Sequence, residues 1–316
     1  MSAERDLIDA LRALAIHPAA RDLRDDAAVL PAPLGRDLVF THDMLVEGVH
    51  FLPGDPAGDV AWKLLAVNLS DLAAKGAEPV GVLMGYGLTG DAGWDSEFVA
   101  GLQRALDHFG VALLGGDTVA QPAGNARVLG LTAIGQVAPG GAPDRRGAKP
   151  GDHLYVTGPI GDAGLGLLIA RGEIEGPRRL LKAYRLPMPR LAVGRALAPL
   201  AHAMADVSDG LLIDAARIAA ASGLKASIDL DAVPMSDDAI AFGDDRAARL
   251  TAATAGDDYQ LLFAAPGAAA DTIADVAARY RVVIACVGSL AEGTGMFVTD
   301  QDGVVPLPAI LGYEHR

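Results

Sequence analysis

Aspartate residues beside glycine, serine or threonine recur along the chain, and carboxylates in such numbers favour the binding of hard cations. They are Asp25 and Asp26 in RDDAAV, Asp43 in THDMLVEGVHF, Asp71 in NLSDLAAKG, Asp117 in LLGGDT, and Asp206 and Asp209 in DVSDG. Taken alone, each can be an ordinary helix cap or turn residue, because aspartate suits both positions. Asp71 is the exception, since it falls inside a predicted helix, where aspartate is a poor helix former without a capping role.

The ligand types favour magnesium among the metals. Magnesium prefers six oxygen ligands, often one or two carboxylates completed by phosphate and water. The absence of histidine and cysteine partners argues against zinc or iron. The sequence also lacks the D-x-D-x-D-G pattern with a glutamate at its twelfth position, which excludes an EF-hand.

The composition agrees with a cation-binding protein. The 316 residues carry 40 acidic and 26 basic side chains, a net charge of −14. Non-specific nucleic-acid binding needs a clustered basic surface, so no nucleic-acid partner is expected. A phosphorylated substrate would need a divalent metal to reverse the local charge. The alternative is that most acidic side chains only keep an alanine-rich protein soluble.

A glycine-rich turn at residues 158–166, GPIGDAGLG, suggests a nucleotide loop at first sight. It lacks the Gly-Lys-Ser/Thr of a P-loop and fits the dinucleotide fingerprint poorly. We therefore interpret these glycines as serving turn geometry and close packing.

Hydrophobic spacing predicts the elements that position these residues. Residues 4–16 have the apolar spacing of a helix, and residues 38–51 are rich in β-branched and aromatic side chains, which predicts a strand with a kink at Gly48. A long helix is predicted from Asp55-Pro56 to Gly76. Polar residues spaced by three and four share one side of that helix; they are Asn68, Asp71 and Lys75.

Both halves of the chain mix helical and strand patterns, which predicts an α/β or α+β fold in two domains. Residues 138–151, rich in proline, glycine and basic side chains, form the predicted linker between domains 1–137 and 152–316.

The sequence favours a cytoplasmic location. No apolar run reaches the roughly 18 residues of a membrane span, and the N-terminal segment has the pattern of a charged amphipathic helix rather than a secretory signal. The single Cys286 excludes an intrachain disulfide and a cysteine-rich zinc site. Because it lies in the apolar stretch VVIACVG, Cys286 is expected in the core.

Seven segments, in order and spread over nearly the whole chain, resemble a known family. They are RDDAAVL, THDMLVEGVHF, AWKLLAVNLSDLAAKGAEP, LLGGDT, RRGAKPGDHLYVTG, DVSDGL and AGDDYQLLF. On these segments the chain resembles the thiamine-monophosphate kinases, which belong to the superfamily of aminoimidazole ribonucleotide synthetase and selenophosphate synthetase. LVEGVHF and VNLSDLAAKGA are specific to the kinases, whereas DVSDG and GGDT are shared more widely.

The resemblance implies a transferase of thiamine biosynthesis that phosphorylates thiamine monophosphate to thiamine diphosphate, with ATP as co-substrate and several Mg²⁺ ions. It also implies a homodimer in which N-terminal strands of both subunits form a shared β-barrel, so that domain 1–137 serves ATP binding, metal binding and dimerisation. By motif match, the implied magnesium ligands are Asp26, Thr41, Asp43, Asp71, Asp117, Asp206 and Asp209. The implied ATP contacts are Gly116, Asp117, Arg145 and Ser208, and the implied contacts to the thiamine substrate are His50, Asp257 and Tyr313.

Elementary chemistry agrees with this implication. ATP and the acceptor phosphate are both anions and repel each other, and metal ions that bridge their oxygens reduce the repulsion and align the groups. The acceptor oxygen is already ionised near neutral pH, so no general base is nominated. Arg145 would act as a guanidinium clamp on phosphate.

Alternatives remain at the level of residues and of function. His50 can be structural, Arg145 a solvated charge, and Ser208 a helix cap. The functional alternatives are a sister synthetase of the selenophosphate or aminoimidazole ribonucleotide type, or a non-catalytic metal-binding protein. Synthetases with thiol chemistry carry a functional cysteine near the N-terminus or at the C-terminal end, unlike Cys286.

Several positions depart from the pattern of the family. The resemblance implies glycine at Arg24, threonine at His42, methionine at Lys75, glutamate at Gln260 and a final aromatic residue in place of Arg316. An ammonium at Lys75 could pair with Asp71 or point at phosphate. These departures bear on the metal count and on thiamine stacking.

Overall fold

The computed structural model describes residues 3–24, 27–122 and 124–314. The chain forms two compact units, the first made of Met1–Leu72 and Glu78–Gly140 and the second of Ala73–Ala77 and Gly141–Arg316. The division after Gly140 falls inside the segment proposed as linker. Helices and strands occur in both units, which confirms a mixed α and β fold. Among the described residues, none of the helices has the length and apolar character needed to cross a membrane.

The first unit is built on one mixed sheet. Its helices are α1 (Ala3–Leu14), α2 (Ala57–Ala74, which runs into the second unit) and α3 (Ala92–Phe109), and its strands are β1 (Asp37–Val46), β2 (Glu78–Leu88), β3 (Ala112–Ala120) and β4 (Val128–Val137). The strand order is β1-β4-β2-β3, in which β2 and β3 are parallel and the other pairs antiparallel. β1 is therefore an edge strand of the described sheet.

Helix α2 confirms the long helix predicted for residues 55–76. Its apolar side chains Leu64, Leu65 and Leu69 are fully buried, and together they remove a large apolar area from water. The chain leaves the helix at Gly76, whose φ of +61° is the left-handed conformation that glycine adopts without steric penalty.

Strand β1 is shorter than predicted. It ends at Val46 because Gly48 has a φ of +81°, which turns the chain before Phe51. The strand alternates between its two faces, and Leu38, Phe40 and Met44 are exposed on one of them. An exposed apolar edge strand is uncommon in a monomer.

The second unit carries the larger sheet. Its helices are α4 (Asp162–Ala170), α5 (Arg178–Arg185), α6 (Leu191–Leu197), α7 (Leu211–Ala221), α8 (Asp237–Ile240), α9 (Arg246–Thr254) and α10 (Ala270–Tyr280). Its strands are β5 (His153–Thr157), β6 (Ala203–Val207), β7 (Leu224–Asp229), β8 (Gln260–Ala265), β9 (Ile284–Glu292), β10 (Met296–Asp300) and β11 (Gly303–Val305). The described strands follow the order β11-β10-β7-β9-β5-β8-β6.

Both faces of this sheet are covered, so the strand β8 is buried along its whole length, in all six of its residues. Leu262 and Ala264 lie in the core cluster of one face, while Leu261 and Phe263 belong to the cluster of the other.

The prediction that Cys286 lies in the core is wrong. Cys286 is exposed on β9, whereas the next residue, Val287, is fully buried. Side chains alternate across a strand, so a short apolar run cannot place each of its members in the core.

Candidate active site

Strand β1 and helix α2 bring together three of the predicted metal ligands in the first unit. The Thr41 hydroxyl donates a hydrogen bond to the Asp71 carboxylate. This contact accounts for an aspartate inside a helix, since the carboxylate serves a neighbouring strand rather than the helix itself. Asp43, two residues along β1 from Thr41, lies on the same face of the strand.

Asn68 fixes the backbone of Asp43 against α2. The Asn68 side chain is fully buried; its Oδ1 accepts from the Asp43 backbone N–H at 2.9 Å, and its Nδ2 donates to the Leu64 carbonyl at 2.9 Å. Asn68 and Asp71, predicted from their spacing to share one side of α2, therefore both face β1. Sequence reasoning noticed Asn68 without assigning it this role.

Gly116 and Asp117 border a cavity of about 630 Å³ in the first unit. A cavity of this volume is within the range of small-molecule sites. A side chain at Gly116 would place its Cβ 1.9 Å from the Met84 carbonyl oxygen, so the close pairing of β3 with β2 requires glycine there. His42 also lines the cavity, and its Nδ1 lies 2.9 Å from the Thr132 hydroxyl.

His50 has a structural contact in the turn after β1. Its Nδ1 accepts from the Val46 backbone N–H at 3.0 Å, which fixes the ring against the end of the strand. The His50 carbonyl accepts from the ammonium of Lys63 at 3.0 Å. Lys63 belongs to α2 and is only 2% exposed. The turn that carries His50 is thus tied to both β1 and α2.

In the second unit, the DVSDG turn between β6 and α7 is shaped by a carboxylate that sequence reasoning missed. Asp214, in the first turn of α7, accepts from the backbone N–H groups of Ser208 and Asp209, both at 3.2 Å. Burial raises the pKa of Asp214, an effect that a hydrogen bond from Arg217 opposes. Arg217 also pairs with Asp209. The three-residue spacing of Asp214 and Arg217 on a helix was the available signal.

A strained loop lies against the same turn. Asp257 and Tyr259 have φ values of +70° and +48°, unusual for residues other than glycine. Their backbone N–H groups donate to the carbonyls of Ser208 and Val207, both at 2.8 Å. Asp257, a predicted substrate contact, is therefore held next to Ser208, a predicted ATP contact.

Asp258 explains the glycine-rich turn. Its buried carboxylate accepts from the N–H groups of Gly161 and Ala163, at 2.8 and 3.3 Å, at the start of α4. Burial raises the pKa of Asp258 well above its usual range. Because these donors hold a carboxylate of the protein itself, the helix start agrees with the packing interpretation of the turn. A Cβ on Gly161 would lie 2.5 Å from that of Ala252.

The C-terminal tail meets the DVSDG turn. The Tyr313 backbone N–H donates to the Asp209 carbonyl at 2.8 Å, and Gly312 leaves no room for a side chain beside Ile213. Tyr313 is 45% exposed. The structure thus places this predicted substrate residue beside a predicted metal ligand.

Arg145 and the departures from the expected pattern have their own surroundings in the second unit. The Arg145 residue is exposed, and its carbonyl accepts from the Ser222 hydroxyl at 3.2 Å. The Lys75 ammonium donates to the carbonyls of Pro143 and Met204, at 3.1 and 3.2 Å. Gln260 accepts from Arg190 and Thr157; these distances are 2.8 and 3.0 Å.

The predicted metal ligands are distributed over both units. Thr41, Asp43, Asp71 and Asp117 belong to the first and Asp206 and Asp209 to the second, while Asp26 lies outside the described residues. Within either unit, the described histidine, cysteine and acidic residues form no cluster of three arranged to hold a metal. Magnesium sites completed by phosphate and water need fewer carboxylates than that.

Family models cover most of the chain. Residues 24–137 match the N-terminal domain of AIR synthase related proteins, and residues 149–301 match the C-terminal domain of the same proteins. The chain is 42% identical to thiamine-monophosphate kinase of Caulobacter vibrioides over 305 residues, which cover 94% of this chain and 86% of that protein.

Solved structures are similar over nearly the whole chain. The crystal structure of thiamine-monophosphate kinase from Stenotrophomonas maltophilia K279a has a TM-score of 0.84 and 36% identity, covering 94% of this chain and 96% of that one. AaThiL complexed with AMPPCP and TMP has a TM-score of 0.75 and 29% identity, covering 90% of this chain and 89% of that one.

Proposed function

Because the chain belongs to the AIR synthase related family, and within it to the thiamine-monophosphate kinases, we propose that it transfers the γ-phosphoryl group of ATP to thiamine monophosphate. The products are thiamine diphosphate and ADP. AaThiL, a similar structure, was solved with AMPPCP, an ATP analogue, and with TMP, which supports the pairing of these two substrates.

The observation that carries this proposal is the arrangement of Thr41, Asp43 and Asp71 between β1 and α2. The Thr41 hydroxyl donates to the Asp71 carboxylate of α2, and Asp43 lies on the same face of β1 as Thr41. Asn68 of α2 accepts from the Asp43 backbone N–H. Such hard oxygen donors suit a metal that is shared with phosphate. Helix stability alone does not account for Asp71.

The donor set fits magnesium. We propose that the ligands come from the seven predicted residues, all of which supply oxygen: Asp26, Thr41, Asp43, Asp71, Asp117, Asp206 and Asp209. Bound magnesium supplies charge neutralisation on the transferring phosphoryl group and alignment of donor and acceptor.

The ATP contacts we propose are Gly116, Asp117, Arg145 and Ser208. Gly116 and Asp117 border the cavity of the first unit, whose volume is within the range of small-molecule sites. The exposed Arg145 can meet a phosphate through its planar guanidinium. The Ser208 hydroxyl lies in the turn that Asp214 holds.

For the thiamine substrate we propose His50, Asp257 and Tyr313. Tyr313 and Asp257 both lie at the DVSDG turn. The Tyr313 backbone N–H donates to the Asp209 carbonyl, and the Asp257 backbone N–H donates to the Ser208 carbonyl. An exposed tyrosine ring and a carboxylate suit a cationic aromatic group. His50 already holds the end of β1, and its role as a substrate contact belongs to the same proposal.

The reaction needs no general base. The acceptor is a phosphate oxygen that is ionised near neutral pH; it forms the new P–O bond as the bond from the γ-phosphorus to the bridging oxygen of ADP breaks. The protein contributes by holding both anions in line and by screening their charges.

We also propose a cytoplasmic homodimer in which strands of both subunits form a shared barrel. The support is the exposed apolar face of β1, formed by Leu38, Phe40 and Met44, on an edge strand. Burial of this face against a second copy would remove its apolar side chains from water, and pairing of the strand edge would give partners to its backbone N–H and C=O groups.

The test supplies the purified protein with ATP, magnesium and thiamine monophosphate and measures thiamine diphosphate and ADP. We expect both products in equal amounts, and none without magnesium. Parallel reactions with selenide or with formylglycinamidine ribonucleotide examine the sister synthetases. No thiamine diphosphate under any metal condition would refute the kinase, and ATP consumption that depends on either of these substrates would indicate the corresponding synthetase.

A further inference from the structure

Arg217 connects two carboxylates at the DVSDG turn. Its Nη1 pairs with the Asp209 carboxylate and lies 2.9 Å from Oδ1 of Asp214. The Asp214 side chain is 1% exposed and receives two backbone N–H groups as well, so it is held firmly. Asp209 and Arg217 are 27% and 37% exposed, so their contact faces solvent.

The two carboxylates that Arg217 contacts differ in their access to solvent. Asp214 is buried and has no access to an incoming ion, whereas Asp209 reaches solvent at the turn that carries Ser208. A ligand that approaches this turn therefore meets Asp209 already paired with a guanidinium. A free divalent cation is repelled by that guanidinium, whereas a metal that carries phosphate brings negative charge that the guanidinium attracts.

We propose that Arg217 is a positioning residue that withholds Asp209 from free divalent cations and yields it to a metal–phosphate complex. When the complex binds, Asp209 turns to the metal, and Arg217 stays anchored on Asp214 with its remaining N–H groups directed to phosphate. This inference rests on the proposed function, because it takes Asp209 as a metal ligand.

The consequence is thermodynamic coupling between metal and nucleotide. Arg217 weakens the binding of the metal alone, whereas the binding of the metal together with nucleotide is unchanged or stronger. Each ligand therefore raises the affinity for the other. Removal of the guanidinium should reduce this coupling, which a purely structural role for Arg217 would leave unchanged.

The experiment measures the binding of Mn²⁺ to the full-length protein by electron paramagnetic resonance, with and without AMPPCP. In Arg217→Gln, we expect nucleotide-free Mn²⁺ to bind about fivefold more tightly, the size expected for a partly exposed ion pair, and the coupling with AMPPCP to fall by a similar factor. Arg217→Lys keeps the positive charge and should stay within about twofold of wild type.

Arg246→Gln is the matched control. Arg246 also bridges two carboxylates, those of Asp300 and Asp302 at 2.5 and 3.4 Å, and it lies outside the DVSDG turn. Its loss should leave Mn²⁺ binding unchanged. Equal or weaker Mn²⁺ binding in a folded Arg217→Gln protein would overturn the inference.

A second measurement on the wild-type protein covers the case in which Arg217→Gln does not fold. The guanidinium NMR resonance of Arg217, assigned with Arg217→Lys, should move when magnesium and AMPPCP are added together and move less with magnesium alone. An unmoved resonance in saturated complex would also overturn the inference. Thiamine diphosphate formation by wild type is measured in parallel. If the product forms, a negative result in the binding or NMR measurement refutes only the role of Arg217. If no product forms, the proposed function itself is wrong.

Discussion

Asn68 offers the sharpest test of how the first unit places Asp43. Its amide makes two hydrogen bonds of 2.9 Å, one accepted from the Asp43 N–H and one donated to the Leu64 carbonyl, and its side chain is fully buried. Asn68→Leu keeps the approximate volume but removes both bonds. The Asp43 N–H on the edge strand β1 then loses its acceptor on α2.

The expected magnitudes follow from this geometry. A donor left without its partner costs about 2 kcal/mol, which is roughly a 30-fold change in the unfolding equilibrium constant. A displacement of about 1 Å at a group that aligns a reaction lowers kcat by about 100-fold. We therefore expect Asn68→Leu to lose both stability and turnover, with the larger effect on turnover.

The assay is thiamine diphosphate formation at saturating ATP and thiamine monophosphate over a range of magnesium concentrations, together with urea unfolding. Gln136→Leu is the matched control, because it makes the same change in an amide of β4 that bonds Glu78 at 3.3 Å near the surface. This control should stay within about 0.5 kcal/mol of wild type. A kcat for Asn68→Leu within about threefold of wild type, despite lost stability, would show that the anchoring of Asp43 does not matter to transfer.

Other changes test separate parts of the reasoning. Asp43→Asn and Asp71→Asn should each abolish most turnover and keep a native circular dichroism spectrum, because both are proposed to hold metal; near-normal rates at limiting magnesium contradict this. Gly116→Ala places a Cβ 1.9 Å from the Met84 carbonyl oxygen and should lower the free energy of unfolding in urea by about 2 kcal/mol or more. Gly93→Ala is the control, because its Cβ would have its nearest neighbour at 3.5 Å, and it should not destabilise the protein. Burial raises the pKa of Asp258, so the wild type should lose stability as pH rises from about 4 through that raised value. Asp258→Asn removes that loss, and unfolding curves that keep the same pH dependence in both proteins would refute the sign.

The fold was predictable where a pattern repeats along the chain. The spacing of three and four predicted the buried leucines of α2 and one polar side, and the structure places Asn68 and Asp71 of that side against β1. Single residues in short apolar runs were not predictable. Cys286 lies in such a run and is exposed, because the pairing of β9 decides which side chains turn to the core.

Departures from an expected motif were also hard to judge from sequence. Lys75 raised the question of a competing ion pair with Asp71, and in the structure its ammonium donates hydrogen bonds to the backbone carbonyls of Pro143 and Met204. Gln260 accepts from Arg190, whose pKa is lowered by burial. Both departures are thus accommodated by hydrogen bonds inside the second unit.

The carboxylates missed by sequence reasoning share a physical cause. Asp214 and Asp258 each accept two backbone N–H groups, from the preceding turn in the case of Asp214 and from a turn 95 to 97 residues away in the case of Asp258, and only the folded backbone aims these groups at a carboxylate. An aspartate beside glycine can be a ligand, a cap or a clamp, and its neighbours in the sequence do not distinguish these roles. The buried aspartates shape turns, whereas Asp209 reaches solvent in the same turn. Burial by tertiary packing therefore distinguishes Asp214 and Asp258 from Asp209, although it is no sole criterion, since Asp206, a proposed ligand, is itself only 6% exposed.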